Sequence, residues 1–257
     1  MNILLNGISG FMGQEVVKLC QKNYRGATLA YGVDTRGGDD VYTSLSELPE
    51  GGVDCIIDFS HHSATPELLE YATERTIPLV LCTTGHTTEE IFLIHNAAKS
   101  IPLFYSGNMS VGIALLIELA KTAAAAFPEA NIEIVEKHHI RKLDAPSGTA
   151  LMLADALRTV RPESYPHCGR SGAGKRTEDE IGIHSIRMGN IVGEHEVIIG
   201  TNNQTITLKH EAHNRALFAE GALAAAAFIV GQMPGLYDMN SMISGMKQSD
   251  DVVISAD

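Results

Sequence analysis

The sequence predicts an α/β chain of two domains: an N-terminal domain built on a parallel sheet, and an α+β domain whose sheet is mostly antiparallel. Three observations predict it. Apolar strand-like runs alternate with helix-period runs through the first hundred residues, the pattern of a parallel sheet covered on both faces. A glycine-rich turn joins the first strand to the first helix. From Gly182 onward the helix period gives way to alternating runs joined by Gly and Asn turns. A length of 257 residues suits two domains or one large one, and a hydrophobic content of 44% suffices to bury a core.

The elements follow in order. "NILLNG" is a short apolar run ending in Gly, a buried-strand signal, and "GFMGQEVVKLCQK" has helical spacing at Met12, Val16, Val17 and Leu19. "ATLAYGVD" and "VDCIIDFS" read as the second and third strands. A helix then starts at Thr65-Pro66, with a capping threonine and proline at the first helical position. "IPLVLCTTG" is a strand, Thr87 or Thr88 before Glu89-Glu90 caps the next helix, and "IPLFYSGN" is a further strand. "VGIALLIELAKTAAAAF" is a long apolar helix, "NIEIVEKHH" a strand, and a helix runs from Ser147 to Thr159. A polar loop through "RSGAGKRTEDE" leads to "GIHSIRMGNIVG", "EHEVIIG" and "TITLKHEA", which read as an antiparallel meander. "NRALFAEGALAAAAFIVGQ" is a helix that returns to the first domain, broken by "MPGLYDM". The expected domains are residues 1–110 with 216–257, and residues 111–215.

A net charge of −12 argues against nucleic acid as a partner, because phosphate backbones need a basic face. Cys20, Cys55, Cys82 and Cys168 form no CxxC pair, which fits thiols in a reducing compartment better than a disulfide frame or zinc site. "MNILLNG" has no basic segment followed by a long apolar run, and no stretch approaches the roughly 18 apolar residues of a membrane span. A cytoplasmic protein with no metal is expected.

Two motifs carry chemistry. In "NGISGFMG", Gly7, Gly10 and Gly13 lie between a strand and a helix. Glycines there permit a tight turn, close backbone approach to pyrophosphate and tight helix–strand packing, and the helix N-terminus offers free N–H groups to phosphate. Ser9 stands where the strict G-x-G-x-x-G has its middle glycine. Asp34 ends the second strand about twenty residues later, as a ribose-binding carboxylate would. The other motif is "VEKHHIRKLDAPSGTA". Strand alternation puts Ile132 and Ile134 on one face and Glu133 and Val135 on the other, and the strand runs into His138, His139, Arg141 and Lys142. Ser147 is the expected N-cap, with Gly148-Thr149 in the first turn, where backbone N–H groups form a carboxylate site. A histidine that exchanges protons near neutral pH and a lysine that donates one suit a small acidic substrate protonated as it reacts. Adjacent strand residues point to opposite faces, which weakens a metal role for the His138-His139 pair.

"EKHHIRKLDAPSGTA" resembles the E-x-H-H-x-x-K-x-D-A-P-S-G-T-A signature of the 4-hydroxy-tetrahydrodipicolinate (dihydrodipicolinate) reductase family. "GISGFMG", "CTTG", "SGNMSVG", "RMGNIVGEHEVIIG" and "KHEAHNRALFAEGAL" resemble further family segments, in order along the whole chain. The resemblance implies a Rossmann-type dinucleotide-binding domain and a substrate and tetramerisation domain. It implies His138 as the acid/base residue, Lys142 as proton donor, and His139, Ser147, Gly148 and Thr149 as substrate contacts. It implies a cofactor, NADH or NADPH, lined by Gly7, Ile8, Ser9, Gly10, Phe11, Met12, Asp34, Cys82, Thr83, Thr84, Ser106, Gly107, Asn108 and Met109. Family members reduce an unsaturated cyclic dicarboxylate in diaminopimelate and lysine biosynthesis and commonly form homotetramers. Cys82 replaces a usual glycine, and Ser106-Gly107 replaces a more usual Ala-x.

Other residues carry weaker signals. Asp58-Phe59-Ser60 ends the third strand, where cofactors bind, and is equally a strand-end turn. His61, His62, His86 and His95 lack metal-ligand spacing and read as solvent or turn residues. Arg215 is long enough to reach a carboxylate, and Glu136 reads as structural. Two other functions fit parts of the pattern. Another two-domain nicotinamide-dependent amino-acid dehydrogenase would not need the His-His-x-x-Lys array with Ser-Gly-Thr. A non-catalytic nucleotide-sensing protein would keep the glycine loop without His138 and Lys142.

Overall fold

A computed structural model of the chain describes the backbone of residues 1–250 and the side chains of residues 1–245; residues 251–257, the end of the expected return segment, lie outside the described residues. In chain order the first elements are β1 (Asn2–Asn6), α1 (Phe11–Gln21), β2 (Thr28–Val33), β3 (Val41–Tyr42), β4 (Cys55–Asp58), α2 (Thr65–Arg75), β5 (Leu79–Leu81), α3 (Thr88–Ala97) and β6 (Pro102–Tyr105). Then come α4 (Val111–Ala126), β7 (Asn131–His138), α5 (Gly148–Arg158), β8 (Tyr165–Cys168), β9 (Glu180–Arg187), β10 (Gly193–Gly200) and β11 (Thr205–Ala212). The last are α6 (Ala216–Ile229), β12 (Gly235–Tyr237) and α7 (Met239–Asp250). The chain divides into two units, Met1–Val111 with the segment from Arg215 onward, and Gly112–Asn214.

The first unit holds a seven-stranded sheet in the order β12-β6-β5-β4-β1-β2-β3, parallel throughout. Its central strands are continuous apolar runs because both faces are covered: Ile3, Leu4 and Leu5 of β1 and Ile56 and Ile57 of β4 have no exposed surface. On one face Leu4, Ile56, Leu79 and Leu103 pack with Leu68 and Ala72 of α2 and Ile94 of α3. α6 is associated with α1 and with β4, β5 and β6, and its small residues permit close approach. A Cβ at Gly221 would collide with the Met109 carbonyl oxygen. Thr87 caps α3 in a full capping box with Glu90. Thr65 is the first residue of α2 rather than its cap, because its hydroxyl bonds the His86 Nε2 at 2.9 Å instead of the helix backbone. "MPGLYDM" breaks the helix as expected but also forms β12, a short edge strand beside β6.

The second unit holds a five-stranded sheet in the order β11-β10-β7-β9-β8. β10 pairs antiparallel with β11 and β7, while β9 runs parallel to both β7 and β8. The sheet is therefore mixed, and the expected meander is corrected. β9 and β10 are consecutive in sequence, yet β7 lies between them, so only β10 and β11 form a hairpin pair. Hairpin-like spacing of strands says which runs are extended, not which edge each finds. Ile132, Ile134, Ile181, Ile183, Val197 and Ile199 form the covered face, against Ile113, Leu116 and Ala120 of α4 and Leu153 and Leu157 of α5. No helix among the described residues is long and apolar enough to cross a membrane.

Candidate functional site

The first unit carries a concave site at the carboxyl ends of its strands. β1 neighbours both β2 and β4, so the strand order reverses there, and a crevice opens at such a switch point. Gly7 follows β1 at φ +82°, and a Cβ on it would lie 2.6 Å from the Phe59 carbonyl oxygen. A Cβ on Gly13 would meet the carbonyls of Gly7 and Ile8, so glycine lets α1 approach the loop. α1 begins at Phe11 after Gly10, with no side-chain cap, which leaves first-turn N–H groups for a ligand. Asp34, after β2, accepts from the Ser9 N–H at 3.1 Å and from Arg36 Nε at 3.2 Å. Burial pushes its carboxyl up, but hydrogen bonds from Arg36 and Ser9 outweigh this and hold it below its ordinary value. The cavity of about 510 Å³ here is lined by Gly7, Gly10, Asp34, Arg36, Ser60 and His61 among others. A glycine cradle, an uncapped helix start and a ribose-height carboxylate fit a dinucleotide.

Asp58, 1% exposed, ties the floor of this site together. It accepts from Asn6 Nδ2 at 2.8 Å, from the Ser60 hydroxyl at 2.6 Å and from the Thr83 hydroxyl. Burial raises its pKa despite these donors. Cys82 and Thr83 follow β5, and the Cys82 N–H donates to the Asp58 carbonyl. The non-glycine residues with positive φ are Asn23, Arg25, Asp40 and Thr76 among the described residues, so Cys82 needs no glycine conformation and carries no strain from the replacement. Thr84 faces Gly107, and the Ser106 hydroxyl donates to the Asn108 carbonyl at 2.8 Å. Ile8 and Met109 are buried; Phe11 is exposed, with the Arg215 guanidinium 5.5 Å from its ring centroid. His62 and His86 are not plain turn residues. His62 Nδ1 meets Glu90 at 3.0 Å, and His86 bridges Thr65 and the Tyr105 hydroxyl.

The second unit carries the motif of His138 and Lys142 at the end of β7. Alternation continues past Ile132 and Ile134, so Glu136 and His138 fall on the covered face. Glu136 is fully buried. Its Oε1 and Oε2 accept from the two Arg187 nitrogens at 2.7 and 2.8 Å, in a bidentate fork. Oε2 also faces His138 Nδ1 at 2.6 Å, and Oε1 accepts from the Ser147 N–H at 3.1 Å. Burial pushes the Glu136 carboxyl up, but donation from Arg187, Ser185, His138 and Ser147 overrides it and holds it at about 2. An ionised Glu136 accepts the proton on His138 Nδ1, which leaves Nε2 as the ring nitrogen not bound to Glu136. A Cβ at Gly193 would lie 3.1 Å from that Nε2, so glycine keeps its approach open. Burial lowers the His138 pKa, Glu136 opposes the shift, and the charges of Lys142 and Arg187 add to it.

Ser147 caps α5: its hydroxyl accepts from the Ala150 N–H at 3.2 Å and meets His195 Nε2 at 3.1 Å. His195, 4% exposed, stacks edge-on to His138 at 5.2 Å. Burial, then the neighbouring His138, pushes its pKa down to about 4. Lys142 sits in a turn closed by its N–H to the His139 carbonyl at 3.1 Å. That turn is stitched to the β9–β10 connection by His139 N–H to the Ile191 carbonyl and Ile140 N–H to the Gly189 carbonyl. His139 Nδ1 is buried and has no hydrogen-bond partner among the described residues. A Cβ at Gly148 would meet nothing within 4 Å among the described residues, so the first residue of α5 is not crowded by side chains.

Sequence reasoning did not assign Arg187 or His195 and read Glu136 as structural. The signal for two of them was in the alternation: Glu136 shares its face with Ile132 and Ile134, and His195 shares its face with Val197 and Ile199, so each is a polar residue on an apolar face. Arg187 gave no such signal.

The chain matches the family described as "Dihydrodipicolinate reductase, N-terminus" over residues 1–109 and "Dihydrodipicolinate reductase, C-terminus" over residues 112–243. The 4-hydroxy-tetrahydrodipicolinate reductase of Caldanaerobacter subterraneus subsp. tengcongensis is 46% identical over 248 residues, 95% of this chain and 98% of that protein. That of Clostridium tetani is 42% identical over 249 residues, 95% of this chain and 97% of its own. Among solved structures, a dipicolinate-bound dihydrodipicolinate reductase from Paenisporosarcina sp. TG-14 superposes with a TM-score of 0.79 at 26% identity, covering 93% of this chain and 97% of that one.

Proposed function

The chain belongs to the dihydrodipicolinate reductase family, and from that premise we propose that it reduces the unsaturated cyclic dicarboxylate formed when 4-hydroxy-tetrahydrodipicolinate loses water. The product is tetrahydrodipicolinate, the electron source NADH or NADPH, and the setting cytoplasmic diaminopimelate and lysine biosynthesis. The observation that carries this reading is His138 with its Nδ1 committed to an ionised Glu136, beside Lys142.

Reduction of one ring double bond takes one hydride and one proton. A reduced nicotinamide, when bound, supplies the hydride. The glycine loop of Gly7, Ile8, Ser9 and Gly10 with the first turn of α1 at Phe11 and Met12 holds its pyrophosphate, and Asp34 takes the adenosine ribose hydroxyls. Cys82, Thr83 and Thr84 and the loop from Ser106 to Met109 form the remainder of the pocket, on the footing of Asp58. Arg36 is paired with Asp34 yet exposed, so it is free to turn toward a 2′-phosphate, and both cofactors serve.

In the second unit, the Gly148 and Thr149 N–H groups, set by Ser147, take one substrate carboxylate, and the orphaned His139 Nδ1 is available to another substrate oxygen. Lys142 donates the proton, and His138 Nε2 exchanges it. The chain assembles as a homotetramer through the second unit. The face of that sheet opposite α4 and α5 is only part-covered, carrying Glu133, Val135 and Ile198.

The test is NADH oxidation that depends on enzymatically generated 4-hydroxy-tetrahydrodipicolinate. Turnover should fall by about 10²–10⁴ in Lys142→Ala or His138→Ala, with cofactor affinity retained. No substrate-dependent oxidation by the wild-type protein would refute the reading.

A further inference from the structure

Asp144 lies between the motif lysine and the start of α5. Its Oδ1 is 2.7 Å from Lys142 Nζ. The Lys142 ammonium, with the backbone N–H groups of Asp144 and Gly148 adding to it, holds the Asp144 carboxyl below its ordinary value. Its backbone is pinned separately, because the Asp144 carbonyl accepts from Arg187 at 2.6 Å. The chain therefore seats a carboxylate of its own on the ammonium that the proposed function assigns to the substrate's surroundings. The Lys142 side chain is 22% exposed and that of Asp144 is 56% exposed, so the carboxylate reaches the lysine from the solvent side. A Cβ added at Gly148, the first residue of α5, would meet nothing within 4 Å among the described residues, so the chain is not crowded beside this pair.

We propose that Asp144 is an internal stand-in for the substrate carboxylate, which an incoming dicarboxylate displaces from Lys142. The inference rests on the function proposed above. Two carboxylates crowd one ammonium with mutual repulsion, so binding must turn the Asp144 side chain outward. The fixed backbone allows this by side-chain rotation alone. An exposed ion pair is weak, so displacement is easy for a ligand that brings a carboxylate, which makes a carboxylate at this position a condition of entry. Between turnovers the same contact covers the Lys142 amine.

The experiment compares wild type with Asp144→Asn and Asp144→Ala, and with Asp155→Asn as a control. Asp155 is an exposed α5 carboxylate that pairs with Arg158 and removes the same charge without touching Lys142. Dipicolinate binding is measured by calorimetry. It should tighten about fivefold in both Asp144 variants, the scale of one exposed ion pair, and not in the control. Equal or weaker binding in the Asp144 variants, or equal tightening in the control, would overturn the proposal. So would unchanged binding with a loss confined to kcat, which would make Asp144 a positioning residue for Lys142. A second readout needs no substrate: the rate of Lys142 acetylation by acetic anhydride, followed by peptide mass spectrometry. It should rise in Asp144→Asn and Asp144→Ala. If the wild type bound no dipicolinate, the proposed function would fail on that result, while an unchanged Lys142 acetylation rate would separately overturn the Asp144 contact.

Discussion

Replacing Glu136 with Gln changes one atom in a fully buried site whose neighbours are all donors. Oε1 accepts from Ser147 and one Arg187 nitrogen, and Oε2 from His138 and the other Arg187 nitrogen. A glutamine amide has one acceptor oxygen and one NH₂. Whichever way it is turned, its NH₂ faces an Arg187 nitrogen and a second donor, and the half-buried Arg187 cation loses its counter-charge. Breaking a buried pair by removing one partner costs about 3–5 kcal/mol. That is a large share of the roughly 5–15 kcal/mol that holds a domain together. Denaturant unfolding of Glu136→Gln should therefore shift to markedly lower concentration. The kinetic effect has a different cause: His138 loses a charged acceptor at Nδ1, and turnover should fall by about 10²–10⁴. Glu136→Met with Arg187→Met separates the two effects. Replacing both partners by apolar residues of similar volume is often neutral, so the double variant should recover stability and stay impaired in turnover. Wild-type unfolding and turnover in Glu136→Gln would refute the reasoning, as would full activity in the double variant.

Three further outcomes are expected. His195 is neutral in the folded protein down to about 4, against an ordinary value of 6.5, so between these values the unfolded chain binds the extra proton. Stability is present above 6.5 and is lost as pH falls toward about 4, by on the order of 3 kcal/mol, and His195→Asn should flatten that part of the unfolding-versus-pH curve relative to wild type. Gly221→Ala drives a Cβ into the Met109 carbonyl; a loss of about 1–3 kcal/mol in denaturant unfolding is expected, and unchanged stability would mean that α6 shifts freely. Asp34→Ala should harm kcat/KM with NADH more than with NADPH, and Arg36→Ala the reverse. A wild-type efficiency with NADPH more than about tenfold above that with NADH would show that Arg36 governs the pocket.

What the sequence determined by itself was whatever depends on a few neighbouring residues. The Ser147 cap, the Thr87-Glu90 capping box and the Gly7 turn follow from local hydrogen bonding and backbone sterics, and each is where its residues put it. Alternation through Ile132 and Ile134 already implied the inward face that Glu136 and His138 occupy, since period two needs no partner to be read. Strand pairing was beyond reach. Nothing local to β9 or β10 says that β7 comes between them, because pairing is chosen by which arrangement buries the most apolar surface across the whole unit. Arg187 is the clearest case. It is one arginine near a turn in sequence, and it becomes the counter-ion of a buried glutamate 51 residues away only because β9 lies parallel to β7, with His138 opposite Arg187 in the register. The His138–Lys142 motif could be read from adjacent letters. The charge that holds Glu136 ionised and His138 oriented exists only once the sheet has formed, because burial and a long-range ion pair are properties of the packed fold.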